Sequence, residues 1–267
     1  MEGRLSGKIA IITGAGSGIG AAIAKRYVAE GAKIVIIGRR EEALAETASA
    51  CPEGSVLTFS ADVRKMDDAQ ATVDAAIKFG GKVDILVNNA GIARRGTLVD
   101  ADIDEWMDVI ETNLFGPFYM MRATIPHMIE NGGGSIVSIS SLAGIRRTPA
   151  SNAYNTSKQG LIGMAQSVAL DYGKYNIRSN LINPGLTLTP KLDRNTEEQS
   201  KAQGVDKSTL FEQMTRLSPI HHPVPTDQIA LAAVFFGSDE STTITGVVLP
   251  VDSGTAIVDA SVAARLL

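Results

Sequence analysis

Short apolar runs alternate with segments of helical spacing along almost the whole chain. Seven runs have the length of strands: residues 8–13, 33–38, 56–60, 85–89, 135–140, 178–183 and 246–251. Helical spacing occurs at residues 21–30, up to about 50, 65–79, 102–130, from Tyr154 onward and 226–236. The runs are apolar at nearly every position, which is typical of strands in a parallel sheet with helices on both faces.

Strands that alternate with helices predict right-handed crossovers and a doubly wound α/β fold. No repeat, low-complexity segment or linker interrupts this alternation. We therefore predict a single domain over residues 1–267, built on a parallel sheet of about seven strands.

Composition and charge narrow the class of protein. Of the 267 residues, 44% are hydrophobic and 20% are charged, and the net charge is -4, so nucleic acid is not expected as a partner. No stretch approaches the ~20 apolar residues of a membrane span. The one cysteine, Cys51, permits no internal disulfide and favours a reducing compartment, so we expect a cytoplasmic protein. His221 and His222 are adjacent and do not converge on a metal, and no metal site is predicted.

The first strand runs into a glycine-rich turn, T-G-A-G-S-G-I-G, at residues 13–20. Gly14, Gly18 and Gly20 follow a strand and open a helix, where bare backbone N–H groups and the helix N-terminus attract a pyrophosphate. This position in an α/β sheet predicts a dinucleotide site.

The second strand ends in Gly38-Arg39-Arg40. An acidic residue there would bind the ribose 2′-hydroxyl of NAD, whereas a guanidinium suits the 2′-phosphate of NADP. We therefore favour NADP(H) over NAD(H). A solvated arginine pair, or an arginine stacked on adenine, would give the same sequence.

Tyr154 and Lys158 are four residues apart before an apolar run, so they share one helix face. A phenol keeps its proton to pH ~10, and a nearby ammonium lowers that pKa. The pair therefore indicates an acid/base group, with Ser141 as a hydroxyl donor at a strand end. Taken alone, the spacing is equally typical of a solvated helix.

Further motifs follow one another on the predicted elements. Asp62-Val63 comes after the third strand, Asn88-Asn89-Ala90-Gly91 after the fourth, and Asn183-Pro184-Gly185 precedes Thr187 and Thr189. With the glycine turn and the set Asn113, Ser141, Tyr154 and Lys158, these motifs resemble the short-chain dehydrogenase/reductase family over nearly the whole chain. The resemblance implies a Rossmann-type domain and an NAD(P)-dependent oxidoreductase that moves a hydride between nicotinamide and a secondary alcohol/ketone pair.

The resemblance also implies a role for each matching residue. Tyr154 would exchange a proton with the substrate oxygen, and Ser141 would hydrogen-bond to that oxygen. Lys158 would bind the nicotinamide ribose and keep the pKa of Tyr154 low, while Asn113 would hold a water that links Lys158 to solvent. The cofactor-binding residues expected from the turn, the strand ends and the resemblance are Gly14, Ser17, Gly18, Ile19, Gly20, Arg39, Asp62, Val63, Asn89, Ala90, Gly91, Tyr154, Lys158, Pro184, Gly185, Thr187 and Thr189.

The substrate side is less defined by the sequence. A long, polar and weakly periodic stretch at about 186–220 is interpreted as a lid. Arg94 and Arg146 follow strand ends and could meet an anionic group on a substrate, although rim charges in water are the favoured interpretation. Ser253 stands in V-D-S-G where many family members have glycine, so its backbone must tolerate that turn.

Two other functions remain open at this point. A 3-oxoacyl thioester (acyl-carrier-protein) reductase would share every motif and differ only in substrate. A non-catalytic dinucleotide-binding sensor or scaffold would keep the cofactor residues alone. Small residues after Tyr154, namely Gly160, Gly163 and Ala165, allow close helix approach, and the resemblance implies a subunit contact there, so we expect a homotetramer or else a dimer.

Overall fold

The computed structural model describes residues 3–259. Its strands are β1 (Ile9–Thr13), β2 (Lys33–Gly38), β3 (Val56–Ser60), β4 (Ile85–Asn88), β5 (Gly134–Ile139), β6 (Ile177–Pro184), β7 (Thr187–Leu188), β8 (Val224–Pro225) and β9 (Val248–Val251). Seven of them form one parallel sheet in the order β3-β2-β1-β4-β5-β6-β9, and β7 pairs with β8 separately. The predicted doubly wound sheet is confirmed.

Helices cover both faces of the sheet. They are α1 (Gly18–Ala29), α2 (Glu41–Ser49), α3 (Met66–Gly80), α4 (Ile103–Ile110), α5 (Gly116–Glu130), α6 (Asn152–Tyr172), α7 (Pro190–Gln203), α8 (Lys207–Thr215) and α9 (Thr226–Gly237). One apolar core packs α1, α2 and α9 against the sheet, and the other packs α3, α5 and α6. No helix between residues 3 and 259 is long and apolar enough to cross a bilayer.

The order of strands reverses between β1 and β4, which are neighbours in the sheet although β2 and β3 lie between them in the chain. Ligands bind at such a switch point, in the crevice outside the carboxyl ends of the strands. The glycine turn follows β1 and the Asn88–Gly91 motif follows β4, so the fold brings both motifs to this crevice.

The predicted helix over 102–130 is interrupted. Asp102 caps α4 by accepting the N–H of Glu105 at 2.9 Å, and a π-helical turn, Glu111–Phe115, separates α4 from α5. Pro117 has no N–H to donate to the carbonyl of Asn113 four residues earlier, which favours a break there. Asn113 therefore lies in the irregular turn rather than in a regular helix.

The segment 186–220 contains more regular structure than its pattern indicated. It holds β7 and both α7 and α8. Thr189 caps α7 by accepting the N–H of Leu192 at 3.2 Å, and Pro190 occupies the first turn. Thr196 is the one buried residue of α7, so this helix has almost no apolar face from which a helical period could be detected.

Candidate active site

A cleft of about 570 Å³ lies at the carboxyl edge of the sheet, where β1 and β4 end. Eighteen of the expected site residues line it. They are Gly14, Ser17, Ile19, Gly20, Arg39, Asp62, Val63, Asn89, Ala90, Gly91, Arg94, Ser141, Tyr154, Lys158, Pro184, Gly185, Thr187 and Thr189. Three expected residues do not line it: Gly18, Asn113 and Arg146.

The glycine turn is shaped for close approach of a ligand. Gly14 has a φ of 65°, in the left-handed region that favours glycine. A Cβ on Gly20 would lie 2.4 Å from both the Gly14 carbonyl oxygen and Asn89 Nδ2, so no side chain fits. Asn89 Nδ2 in turn donates to the carbonyl of Thr13 at 2.9 Å. The turn and the Asn89 side chain thus form one packed unit.

The N-terminus of α1 is open to an anion. Ser17 occupies the N-cap position with no side-chain cap bond, and no acidic residue lies in the first turn. The first backbone N–H groups of a helix lack intrahelical partners and carry positive partial charge. A cradle of this kind, too tight for a Cβ, fits the pyrophosphate of a dinucleotide. Gly18 instead faces Thr189, whose Cγ2 lies 3.5 Å from the Cβ that Gly18 lacks.

Arg39 and Arg40 line the cleft at the end of β2. Neither guanidinium has an ion pair or a side-chain hydrogen bond within residues 3–259, in contrast to those of Arg64, Arg94 and Arg146. Asp62 lines the same end of the cleft, but its carboxylate is bound by Arg64 at 2.6 Å. The ribose end of the cleft therefore offers uncommitted positive charge.

Tyr154 and Lys158 lie in the first two turns of α6, beside the end of β5. The Lys158 side chain is only 4% exposed, and its Nζ donates to the Ile139 carbonyl at 2.9 Å. The same Nζ lies 5.7 Å from the centroid of the Tyr154 ring. Ser141 begins a turn after β5, and its Oγ accepts the N–H of Ala143 at 3.1 Å. Tyr, Lys and Ser therefore converge on one end of the cleft.

Burial shifts the pKa values of both members of this pair. Burial raises the pKa of the Tyr154 phenol, and a hydrogen bond to Ser141 offsets that rise only in part. Burial also lowers the pKa of Lys158 to about 8. Burial thus disfavours the charged form of both side chains, and the role expected for Lys158 in lowering the pKa of Tyr154 stays a prediction.

Asn113 lies behind the cleft wall and is fully buried. Its Oδ1 accepts the N–H of Ile92 and its Nδ2 donates to the Ile92 carbonyl, each at 2.8 Å. Nδ2 also donates to Ser157 Oγ at 3.0 Å. The Asn113 side chain therefore fastens the π-helical turn to the segment after β4 and to the Tyr154 helix.

The two arginines considered for substrate binding have protein partners. Arg94 Nε lies 3.4 Å from Glu105, and its Nη2 lies 3.9 Å from Asp108. Arg146 Nε donates to the carbonyl of Ala256 at 2.8 Å. Arg94 still lines the cleft, but Arg146 holds the C-terminal turn instead of facing the cleft.

The V-D-S-G turn keeps the backbone that glycine would favour. Ser253 has a φ of 57°, a left-handed conformation that L-residues adopt at some cost. Its Oγ donates to the carbonyl of His222 at 2.9 Å, and its own carbonyl accepts the N–H of Ile220 at 3.1 Å. These bonds tie the turn to the end of the lid segment. Among residues 3–259, no group of His, Cys, Asp or Glu has the arrangement of a metal site.

Several lining residues had no motif to reveal them. Lys191, in the first turn of α7, is the clearest case, since a lone lysine in a polar stretch gives no signal. Trp106 lies outside the cleft, yet its Nε1 donates to Asn152 Oδ1 at 3.0 Å, at the start of the Tyr154 helix. The other lining residues that were not expected include Ala43, Leu44, Ala61, Ile92, Ala93, Thr112 and Ser140.

Comparison with known proteins agrees with this geometry. A family model described as short chain dehydrogenase matches residues 8–200. Trans-4-hydroxycyclohexanecarboxylate dehydrogenase of Sinomonas cyclohexanicum is 37% identical over 259 residues, which cover 94% of this chain and 93% of that protein.

Two solved structures are similar throughout. L-Sorbose reductase from Gluconobacter frateurii, complexed with NADPH and L-sorbose, has a TM-score of 0.92 at 32% identity, covering 97% of this chain and 100% of that chain. The 3-ketoacyl-(acyl-carrier-protein) reductase from Brucella melitensis, complexed with NADH, has a TM-score of 0.84 at 33% identity, covering 95% and 100%.

The fold and the cleft define a dinucleotide-dependent oxidoreductase of the α/β class. The chain belongs to the short-chain dehydrogenase family and is an NAD(P)-dependent oxidoreductase that interconverts alcohols and ketones.

Proposed function

We propose that Tyr154 is the proton donor and acceptor of this enzyme, with Ser141 and Lys158 beside it, acting on a small secondary alcohol/ketone pair. The observation that carries the proposal is the convergence of these three side chains on the cleft that also holds the glycine turn. When bound, the nicotinamide supplies or accepts the hydride. The chain itself orients the reactants and moves the proton.

The chemistry follows from where charge develops. As a ketone is reduced, negative charge builds on its oxygen, and donors already in place stabilise that charge. The hydroxyl of Ser141 supplies one hydrogen bond, and the hydroxyl of Tyr154 supplies the proton. Lys158, held by the Ile139 carbonyl, is placed to bind the nicotinamide ribose, and Asn113 holds the strand-end segment in position.

The pKa of Tyr154 predicts how the rates of reduction and of oxidation depend on pH. Because burial raises that pKa, the phenol keeps its proton at neutral pH, which suits reduction. Oxidation needs the phenolate, which high pH and the positive charge of oxidised nicotinamide both favour. We expect kcat/KM for alcohol oxidation to rise with pH and kcat/KM for ketone reduction to fall at alkaline pH.

The deciding experiment is a panel of alcohols and ketones, followed by nicotinamide absorbance with both cofactors, for wild type and Tyr154→Phe. The variant should lose turnover by at least about 10²-fold while its dissociation constant for cofactor stays unchanged. Turnover that survives in Tyr154→Phe would refute the role given to this residue.

Cofactor preference is a second part of the proposal. The uncommitted guanidiniums of Arg39 and Arg40 support NADP(H), since paired N–H donors match a phosphate. One related structure is complexed with NADH and another with NADPH, so both cofactors remain candidates. Arg39→Gln should raise the dissociation constant for NADPH about tenfold and leave that for NADH unchanged, as measured by fluorescence titration. Equal losses for both cofactors would oppose the preference.

A 3-oxoacyl thioester reductase remains the second candidate, because the Brucella melitensis relative carries that name. Acetoacetyl-CoA included in the ketone panel separates the two: the thioester should give the highest kcat/KM if this candidate is right. Nothing in the relatives supports a non-catalytic sensor.

The remaining proposals concern assembly and organisation. We infer one catalytic domain over 1–267 in which 186–220, with α7 and α8, closes over the substrate. We also propose a cytoplasmic protein that forms a homotetramer or else a dimer, and the assembly is supported by exposed apolar side chains on α5 and α6, including Phe118 at 43% and Leu170 at 85% exposure. Light scattering at micromolar concentration tests the assembly, and a monomer would refute it.

A further inference from the structure

Acidic and basic side chains alternate in a series of ion pairs from the residues after β3 to helix α4. Arg64 lies between two carboxylates: its Nη2 is 2.6 Å from Asp62 Oδ2, and its Nη1 is 2.6 Å from Asp108 Oδ1. Asp108 faces Arg94 at 3.9 Å, and Arg94 faces Glu105 at 3.4 Å. Arg64 thus joins the end of β3 to helix α4.

Arg64 binds the whole carboxylate of Asp62. Its Nε lies 3.0 Å from each oxygen, and its backbone N–H donates to Oδ1 at 3.1 Å. Charge-assisted fork geometry of this kind is the strongest form of arginine–carboxylate bond. Asp62 is therefore present in the cleft wall as a neutralised group.

Arg39 lies in the same cleft wall, and its positive charge reaches the Asp62 carboxylate. Both Arg39 and Asp62 line the cleft. The pKa of Asp62 is held below its ordinary value chiefly by its bonds to Arg64, and the positive charge of Arg39 contributes a smaller part. Without Arg64, Asp62 would be an unpaired carboxylate in the same cleft wall as Arg39, the residue proposed to bind the 2′-phosphate.

We propose that Arg64 is a specificity-determining residue for the cofactor. By occupying Asp62, it leaves Arg39 uncommitted for the 2′-phosphate of NADP(H) and removes a carboxylate that would repel that phosphate. The inference rests on the proposed cofactor preference. Asp108 binds the guanidinium from its other side, so the donors of Arg64 are directed at two carboxylates.

The experiment measures binding by fluorescence titration of NADPH and NADH, without turnover. In Arg64→Gln, the dissociation constant for NADPH should rise about tenfold and that for NADH less than about threefold, because only NADPH meets the released carboxylate with a phosphate. Adding Asp62→Asn to Arg64→Gln should restore NADPH binding, since the amide has no charge to neutralise and its oxygen still accepts a hydrogen bond.

The control is Arg26→Gln, which removes another arginine–aspartate pair, with Asp227 at 2.8 Å, away from the cleft. It should leave both dissociation constants unchanged. Thermal unfolding of every variant, followed by circular dichroism, identifies those that fold.

The outcomes separate this inference from the cofactor proposal. If Arg64→Gln weakens NADPH and NADH equally, or if Asp62→Asn fails to restore NADPH binding to the folded double variant, the inference is overturned. If Arg39→Gln discriminates between the cofactors and Arg64→Gln does not, this inference alone fails. If Arg39→Gln has no effect on NADPH, the cofactor preference fails and the role of Arg64 falls with it.

Discussion

Replacing Lys158 with methionine should make the protein more stable at neutral pH while removing its activity. The ammonium of Lys158 is only 4% exposed, and burial lowers its pKa from 10.5 to about 8. A difference of ~2.5 pKa units corresponds to about 3 kcal/mol of penalty for the charged form in the folded state. Methionine has a similar length and carries no charge.

Part of this gain is lost with the hydrogen bond. Nζ donates to the Ile139 carbonyl at 2.9 Å, and an unmade bond to that carbonyl costs about 1 kcal/mol. We therefore expect Lys158→Met to raise the free energy of unfolding by about 2 kcal/mol near pH 7.

The sign of the pH dependence follows from the two pKa values. Below pH 8 the lysine is charged in both folded and unfolded chains, and wild type carries the full penalty. Between 8 and 10.5 the folded chain releases its proton first, so wild type gains stability as pH rises. Above that window both forms are neutral, and the advantage of methionine should be gone.

Urea unfolding, followed by circular dichroism at several pH values across this window, measures the difference between the two proteins. Lys201→Met is the matched control, because Lys201 is 75% exposed and should show no such pH dependence. A variant less stable than wild type at neutral pH, or a difference that does not vary with pH, would show that the Lys158 ammonium reaches water. Turnover should fall by at least about 10²-fold in the same variant.

Three further substitutions test the packing around the site. Gly20→Ala should weaken cofactor binding more than about tenfold, because its Cβ would lie 2.4 Å from the backbone of the glycine turn; Gly173→Ala, with nothing within 4 Å, is the control in the same titration. Trp106→Phe removes the bond to Asn152 and should lower kcat several-fold with KM nearly unchanged. A rise in KM as large as the fall in kcat would contradict a positioning role. Ala150→Gly should raise the unfolding free energy by up to about 1 kcal/mol, because Ala150 is exposed at a φ of 51°; a loss of stability in urea would refute this.

Local pattern was enough to predict the sheet and much of the cofactor cleft. The runs around Ile34 and Ile85 are apolar throughout because strands buried on two faces require it, and their order along the chain determines the crossovers. The glycine turn was visible because only glycine tolerates its conformation and its close approach to Asn89. Buried strands and glycine turns are each marked by the types of adjacent residues, so both can be detected without knowledge of the fold.

The lid and the interrupted helix were less visible for physical reasons. Helix α7 buries little beyond Thr196, so hydrophobic periodicity does not reveal this helix. The π-helical turn depends on Pro117 and on the bonds that Asn113 makes to Ile92, which lies 21 residues earlier in the chain. Contacts at such separations are decided by packing.

The sequence by itself determined the doubly wound fold and the functional groups that follow its strands. These groups are a phosphate-binding turn, a pair of arginines and a Tyr–Lys pair. Only the tertiary structure decided how those charges behave. Burial of Tyr154 and Lys158 moves both pKa values against ionisation. Arg64 binds Asp62 directly and also binds Asp108, which lies 44 residues further along the chain. Desolvation and long-range ion pairs are properties of the packed chain, and no local pattern encodes them.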